Sequence, residues 1–288
     1  MTAFHPMRSA LLAACALLFC FLSASAAHPQ AATRLYGLID ADYLGSDIAF
    51  SVELGNAHTV RYYAWGRQLD EVEGMAVDGD GELYLFSESG AIKKVNLSQP
   101  NRSPVEVVGR SPHEFTSANL RASDGMIELY DAKGRRFVTF DPRADRLVPE
   151  TARRGNFPAF DGLARTAGQL YGTAPVRESP GLFACTGGRC VPACVRRLEL
   201  PRELQAIETF TESTLIFART SITSRNEIML HVESVDPGSC TRRELFTTPL
   251  DRNQIRQFLR PSLNLDDVLR RARQSNRSAE IEAIAIQR

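Results

Sequence analysis

Five short apolar pairs, Leu35-Tyr36, Leu83-Tyr84, Leu129-Tyr130, Leu170-Tyr171 and Leu215-Ile216, recur along the chain at intervals of 41 to 48 residues. Few folds satisfy such a period. A unit of this length cannot bury its own apolar face and must stack on its copies, and strand-rich units of about 40 to 50 residues are the blades of a β-propeller. The best-formed unit reads Val72-Glu73-Gly74-Met75-Ala76-Val77, then Glu82-Leu83-Tyr84-Leu85-Phe86, then Ala91-Ile92-Lys93-Lys94-Val95-Asn96-Leu97, separated by Asp78-Gly79-Asp80-Gly81 and Ser87-Glu88-Ser89-Gly90. β-Prone runs bounded by Gly, Asp and Ser predict hairpins. Val105-Glu106-Val107-Val108 completes a four-stranded antiparallel blade. Weaker copies are expected at Asn119 to Phe140, Phe160 to Leu200 and Leu204 to Phe246.

The last residues, Ile281-Glu282-Ala283-Ile284-Ala285-Ile286, repeat the pattern of Val72 to Val77, the opening strand of a blade, and the N-terminal copy at Leu35-Tyr36 supplies its continuation. Pairing the two terminal segments would close the ring and remove its free sheet edges. Between Asp251 and Arg273 the pattern changes: Ile255, Phe258, Leu259, Leu263, Leu265, Val268 and Leu269 recur at helical spacing among charges, predicting an insertion of one or two helices. The expected fold class is all-β, a single β-propeller domain over residues 33–288 with five recognisable blades, or six if the 251–273 segment hides a degenerate one.

Arg8, an apolar run from Leu11 to Leu22 and the small residues Ser23-Ala24-Ser25-Ala26-Ala27 have the layout of a secretory signal peptide, residues 1–26. The run is about half a spanning length, which argues against an anchor. Leu12-Ala13-Ala14-Cys15 resembles a lipoprotein box, but the strongest apolar stretch follows that Cys rather than preceding it. The chain is therefore expected to be periplasmic or secreted, and bacterial. Acidic and basic residues balance at 34 each, so no global field recruits nucleic acid or an anionic membrane. Cys185, Cys190, Cys194 and Cys240 predict two disulfides with three possible connectivities. A four-thiolate zinc site is the alternative, disfavoured because the spacings lack paired C-x-x-C knuckles.

The stretch Glu73-Gly74-Met75-Ala76-Val77-Asp78-Gly79-Asp80-Gly81-Glu82-Leu83-Tyr84 resembles exported bacterial propellers of the phytase-like group (esterase-like activity of phytase) and the SdiA-regulated propellers; Asp161-Gly162-Leu163-Ala164 and Glu282-Ala283-Ile284-Ala285 are looser matches. The resemblance implies that the acid opening each innermost strand rings the axial channel. Those positions are Glu73, Asp161 and Glu282, with Arg121 and Gln205 at or near the matching places, although a gapless alignment puts Asn119 in the place given to Arg121. Converging carboxylates suit Ca²⁺ or Mg²⁺, and such an ion could polarise a phosphoryl or carbonyl oxygen. The competing structural expectation is an ion pair of Arg121 with Glu73 or Asp161 across the channel.

Other candidates carry less. Asp78-Gly79-Asp80-Gly81-Glu82 lacks the length and distal Glu of an EF-hand and reads as a hairpin turn. His58, His113 and His231 stand apart, and the chain holds no Gly-x-Ser-x-Gly elbow or phosphate-cradling Gly loop. Two functions follow. The first is an exported monomer that binds a small molecule or an exported protein through its axial pocket and rim loops. The second is a divalent-metal-dependent esterase or phosphoesterase using Glu73, Asp161 and Glu282.

Overall fold

Short strands alternating with tight turns build five antiparallel sheets in the computed structural model, which describes residues 33–39, 47–55, 58–69, 71–149, 153–155, 157–176, 179–194, 206–259, 262–274 and 281–288. The signal-peptide segment, the Cys15 box and Gln205 lie outside the described residues. Blade 1 contains β1 (Arg34–Ile39), β2 (Ile48–Glu53) and β3 (Val60–Tyr63). Blade 2 is β4 (Val72–Val77), β5 (Glu82–Ser87), β6 (Ala91–Asn96) and β7 (Glu106–Arg110). Blade 3 is β8 (Phe115–Leu120), β9 (Ile127–Asp131), β10 (Arg136–Asp141) and β11 (Arg146–Leu147), with β12 (Arg153–Arg154) also paired to β10. Blade 4 is β13 (Gly162–Thr166), β14 (Gln169–Val176), β15 (Ser179–Thr186) and β16 (Arg189–Pro192). Blade 5 is β17 (Ile207–Thr209), β18 (Leu215–Ile222), β19 (Ile228–Asp236) and β20 (Thr241–Pro249).

The final strand, β21 (Ile281–Gln287), completes blade 1 by antiparallel pairing with β1, Leu35 opposite Ile286 and Gly37 opposite Ile284. The innermost strands then form a closed ring, β4 beside β8, β8 beside β13, β13 beside β17, β17 beside β21 and β21 beside β4. The core divides the same way. Each apolar cluster fills the wedge between two neighbouring blades, from Tyr36, Met75 and Leu85 between blades 1 and 2 to Ile216, Leu230 and Phe50 between blades 5 and 1. The wedges account for five blades and leave no place for a sixth.

Residues 251–273 form α1 (Arg252–Arg256) and α2 (Leu265–Gln274). Asp251 caps α1 by accepting the N–H groups of Asn253 and Gln254, and Asn264 accepts those of Asp266 and Asp267 at the start of α2. The inward stripe Ile255, Leu265, Val268 and Leu269 covers the wedge between blades 5 and 1. Two disulfides resolve the connectivity. Cys185–Cys190 joins directly opposed residues of the β15–β16 hairpin, and Cys194–Cys240 ties blade 4 to blade 5. The thiols are thus bonded to one another and do not form a thiolate zinc site.

Candidate functional site

Each innermost strand runs along the pseudo-five-fold axis, so its two ends open on opposite mouths of the channel. At the starting end the ladders are irregular. Val72 pairs with Ser87 and Gly74 with Phe86, which leaves Glu73 as the extra residue of a bulge. Glu282 is the extra residue between Ile281 and Ala283 in the same way, and Thr116 between Phe115 and Ser117. A bulge re-aims its extra side chain out of the sheet, and here it does so at matching places in three blades. Asp161 immediately precedes β13, donating its N–H to Thr173 O. Thr116 Oγ1 donates to Phe160 O beside it. Glu73, Thr116, Asp161 and Glu282 are all half-buried.

Two expectations need correcting. Thr116, not Asn119 or Arg121, matches Glu73 in blade 3. Counted between the last ladder pairs, Val77 with Leu83 and Leu120 with Ile127, the turn after β8 is one residue longer than the turn after β4, and Leu129-Tyr130 stands two places further along its strand than Leu83-Tyr84 does. Arg121 therefore follows the finishing end of β8, roughly 16 Å along the strand from the Thr116 level. There it pairs with Asp124, Nη2 to Oδ2 at 2.8 Å and Nε to Oδ1 at 3.2 Å, and not with Glu73 or Asp161 across the channel. Among the described residues no three His, Cys, Asp or Glu side chains group so as to hold a metal ion.

The finishing ends of all five inner strands enclose a cavity of about 230 Å³. Its wall takes one residue from the same layer of each strand: Val77, Leu120, Arg165, Thr209 and Ile286. Four of these pair with the leucines of the repeating heads, Val77 with Leu83, Arg165 with Leu170, Thr209 with Leu215 and Ile286 with Leu35. Glu208, Asp78, Gln287 and Arg288 complete the polar lining. Asp78 closes the β4–β5 turn, its Oδ1 accepting the N–H groups of Asp80 and Glu82 at 2.9 Å each, and Gly81 takes the φ of +82° this turn requires.

One layer deeper the strands carry Ala76, Asn119, Ala164, Glu208 and Ala285. Two polar side chains thus replace alanine in a crowded layer. Glu208 is 6% exposed, its Oε1 accepting the N–H of Thr209. Burial pushes its carboxyl up to about 8, against the opposing pull of the Thr209 N–H and of Arg288. At pH 7 the group is therefore mostly the neutral carboxylic acid. Thr209 Oγ1 links the walls, accepting from Arg165 N–H at 3.0 Å and lying 3.4 Å from Asn119 Oδ1. Arg165 bonds Glu128 Oε2 at 2.8 Å and Gly168 O at 2.7 Å, while Arg288 donates to Thr209 O at 2.9 Å. Arg165 Nε and Asn119 Nδ2 are buried without a hydrogen-bond partner.

The sequence reading missed Thr116, Arg165, Glu208 and Arg288. The signal for Glu208 was an acid where three other blades have alanine, visible only once the blades are in register.

The histidines play local parts. His58 stacks on Phe246, and His113 joins Arg136 around the buried carboxylate of Asp131. His231 bridges Ser221 and Thr247 across blade 5, Nε2 to Oγ at 2.7 Å and Nδ1 to Oγ1 at 2.9 Å. Burial and Arg219 hold that imidazole below its ordinary range. None of these side chains lines the cavity.

No protein-family model and no curated protein matches the chain. A solved chain from the nidogen/laminin complex matches with a TM-score of 0.54 at 13% identity, covering 88% of this chain and 98% of that one. Two structures of the extracellular domain of one B. thetaiotaomicron protein, BT4673, described once as a hybrid two component system and once as a one component system, match with TM-scores of 0.35 and 0.36 at 16% and 12% identity. They cover 66% and 62% of this chain and 23% and 28% of their own. At such identities the first likeness shows the fold alone. The phytase-like resemblance accordingly rests on its short motifs.

Proposed function

We propose that this chain is an exported propeller that binds a small molecule in the cavity where its five inner strands finish. The observation that carries this reading is convergence: five separate strands, one from each blade, deliver side chains to one concave, partly charged space on the axis. The two disulfides fit an oxidising compartment. Among the described residues no helix is long and apolar enough to cross a membrane. Hydrolysis through a cation held by Glu73, Asp161 and Glu282 has no support, since among the described residues no three His, Cys, Asp or Glu side chains group so as to hold a metal ion. We assign them instead to the opposite mouth of the channel.

The test is a ligand-observed NMR screen of small polar metabolites against the parent and Ala122→Trp. Ala122 is an exposed residue on the cavity rim, so a larger side chain there blocks the mouth without entering the core. At least one compound should bind the parent and Glu73→Gln but not Ala122→Trp. A screen whose binders all ignore Ala122→Trp would sink the cavity as the binding site.

A further inference from the structure

We infer that the axial cavity takes a small carboxylate, held by Arg165, Arg288 and Glu208. The inference rests on the cavity being the binding site, and names what it binds.

Charge at the cavity is the first support. Arg165 and Arg288 line the cavity together with Asp78; Glu128 already pairs with Arg165, whereas Arg288 donates to the uncharged Thr209 O, so Arg288 is the cationic side chain left to a ligand. That guanidinium draws an anion to this mouth. Supply of hydrogen-bond donors is the second. Two guanidinium groups line the wall, and a guanidinium offers five donors in a fork that matches a carboxylate. Asn119 Nδ2 and Arg165 Nε have no acceptor, so this layer is short of acceptors rather than donors. The acids nearby do not answer that need. Glu128 already holds Arg165, and Asp78 Oδ1 is occupied by two backbone N–H groups.

Glu208 then decides between anion and cation. It accepts the Thr209 N–H on its own strand, lies within the field of Arg288 just after β21, and shares the cavity lining with Arg165 of β13, Asp78 after β4 and Gln287 of β21. Buried in this setting it mostly keeps its proton at pH 7 and can donate an O–H to a ligand oxygen, which forms a short charge-assisted bond. A volume of about 230 Å³ suits a ligand of a few heavy atoms.

The experiment compares three near-isosteric probes, propanoate, propanamide and propylammonium, by NMR titration from pH 6 to pH 9. Propanoate should bind in preference to the other two. Because Glu208 loses its proton around pH 8, propanoate affinity should fall about tenfold between pH 7 and pH 9. Glu208→Gln keeps a donor that does not titrate and should flatten that profile, while Arg288→Gln should weaken propanoate at every pH. Preference for propanamide or propylammonium, blocked by Ala122→Trp, overturns the carboxylate and leaves the cavity standing. Propanoate binding that survives Ala122→Trp overturns both. Absence of propanoate binding, or a parent profile flat with pH, overturns this inference.

Discussion

Glu208 shows how one side chain sets a pH response for the whole fold. Its folded carboxyl titrates at about 8 because burial disfavours the charged form, whereas in the unfolded chain it ionises in the ordinary glutamate range. Between those values the folded state holds a proton that the unfolded state has released, so stability falls as pH rises, by about 1.4 kcal/mol per pH unit, and levels off above the folded value. Urea melts from pH 5 to pH 8 should show this decline in the parent and a shallower one in Glu208→Gln. A parallel decline in both proteins would remove Glu208 as its source. Asp131 has the opposite sign. Burial pushes its carboxyl upward, but the Gly134 N–H, Arg136 and the Glu114 N–H hold it below the usual range, with His113 adding to their pull. Its contribution is present at neutral pH and is lost only in acid, outside the Glu208 window.

At the scale of the element, disulfides and hairpins constrain the chain over very different lengths. Cys185–Cys190 spans 5 residues of a hairpin already aligned by its ladder, while Cys194–Cys240 spans 46 and joins two blades. Loop-closure entropy makes the longer link worth about 4 kcal/mol and the shorter about 2 kcal/mol. Cys194→Ser with Cys240→Ser should therefore lower the urea midpoint more than Cys185→Ser with Cys190→Ser, and the reverse order would show that strain or hairpin packing dominates. The heads that announced the blades lie on the second strands, β1, β5, β9, β14 and β18, as the order of runs in the best-formed unit implied. In blade 3 the head is displaced by two places. A displacement of two keeps every side chain on its own face, so the apolar alternation is unchanged and gives no warning. That is why Thr116 was passed over for Asn119 and Arg121. Two glycines in these second strands answer to tertiary contact alone: a Cβ on Gly37 would lie 2.4 Å from the ring of Phe50, and one on Gly172 2.4 Å from that of Phe160.

For the whole molecule, ring closure is the feature on which the other contacts depend. β21 pairs with β1, and it lies between β17 and β4 in the inner ring. Removing residues 281–288 would open the edge of β1 and strip Ile281 and Ile284 from the wedge between blades 5 and 1. The truncated protein should lose its cooperative melt or self-associate on gel filtration; a monomer with the parent's melting behaviour would show that the clasp is dispensable. The clasp, the blade repeat, the helical insertion and the pairing of cysteines into two bridges were all legible along the chain, because each is written as local periodicity, turn chemistry or residue count. Which cysteines join, which residues share a layer and where the cavity lies were not. Asp161 and Arg165 are only four positions apart, yet they face opposite mouths of the channel. Local pattern records the face on which a side chain stands, but the level it reaches along the axis depends on turn lengths and bulges summed over five separate strands, and only the closed ring brings those levels together.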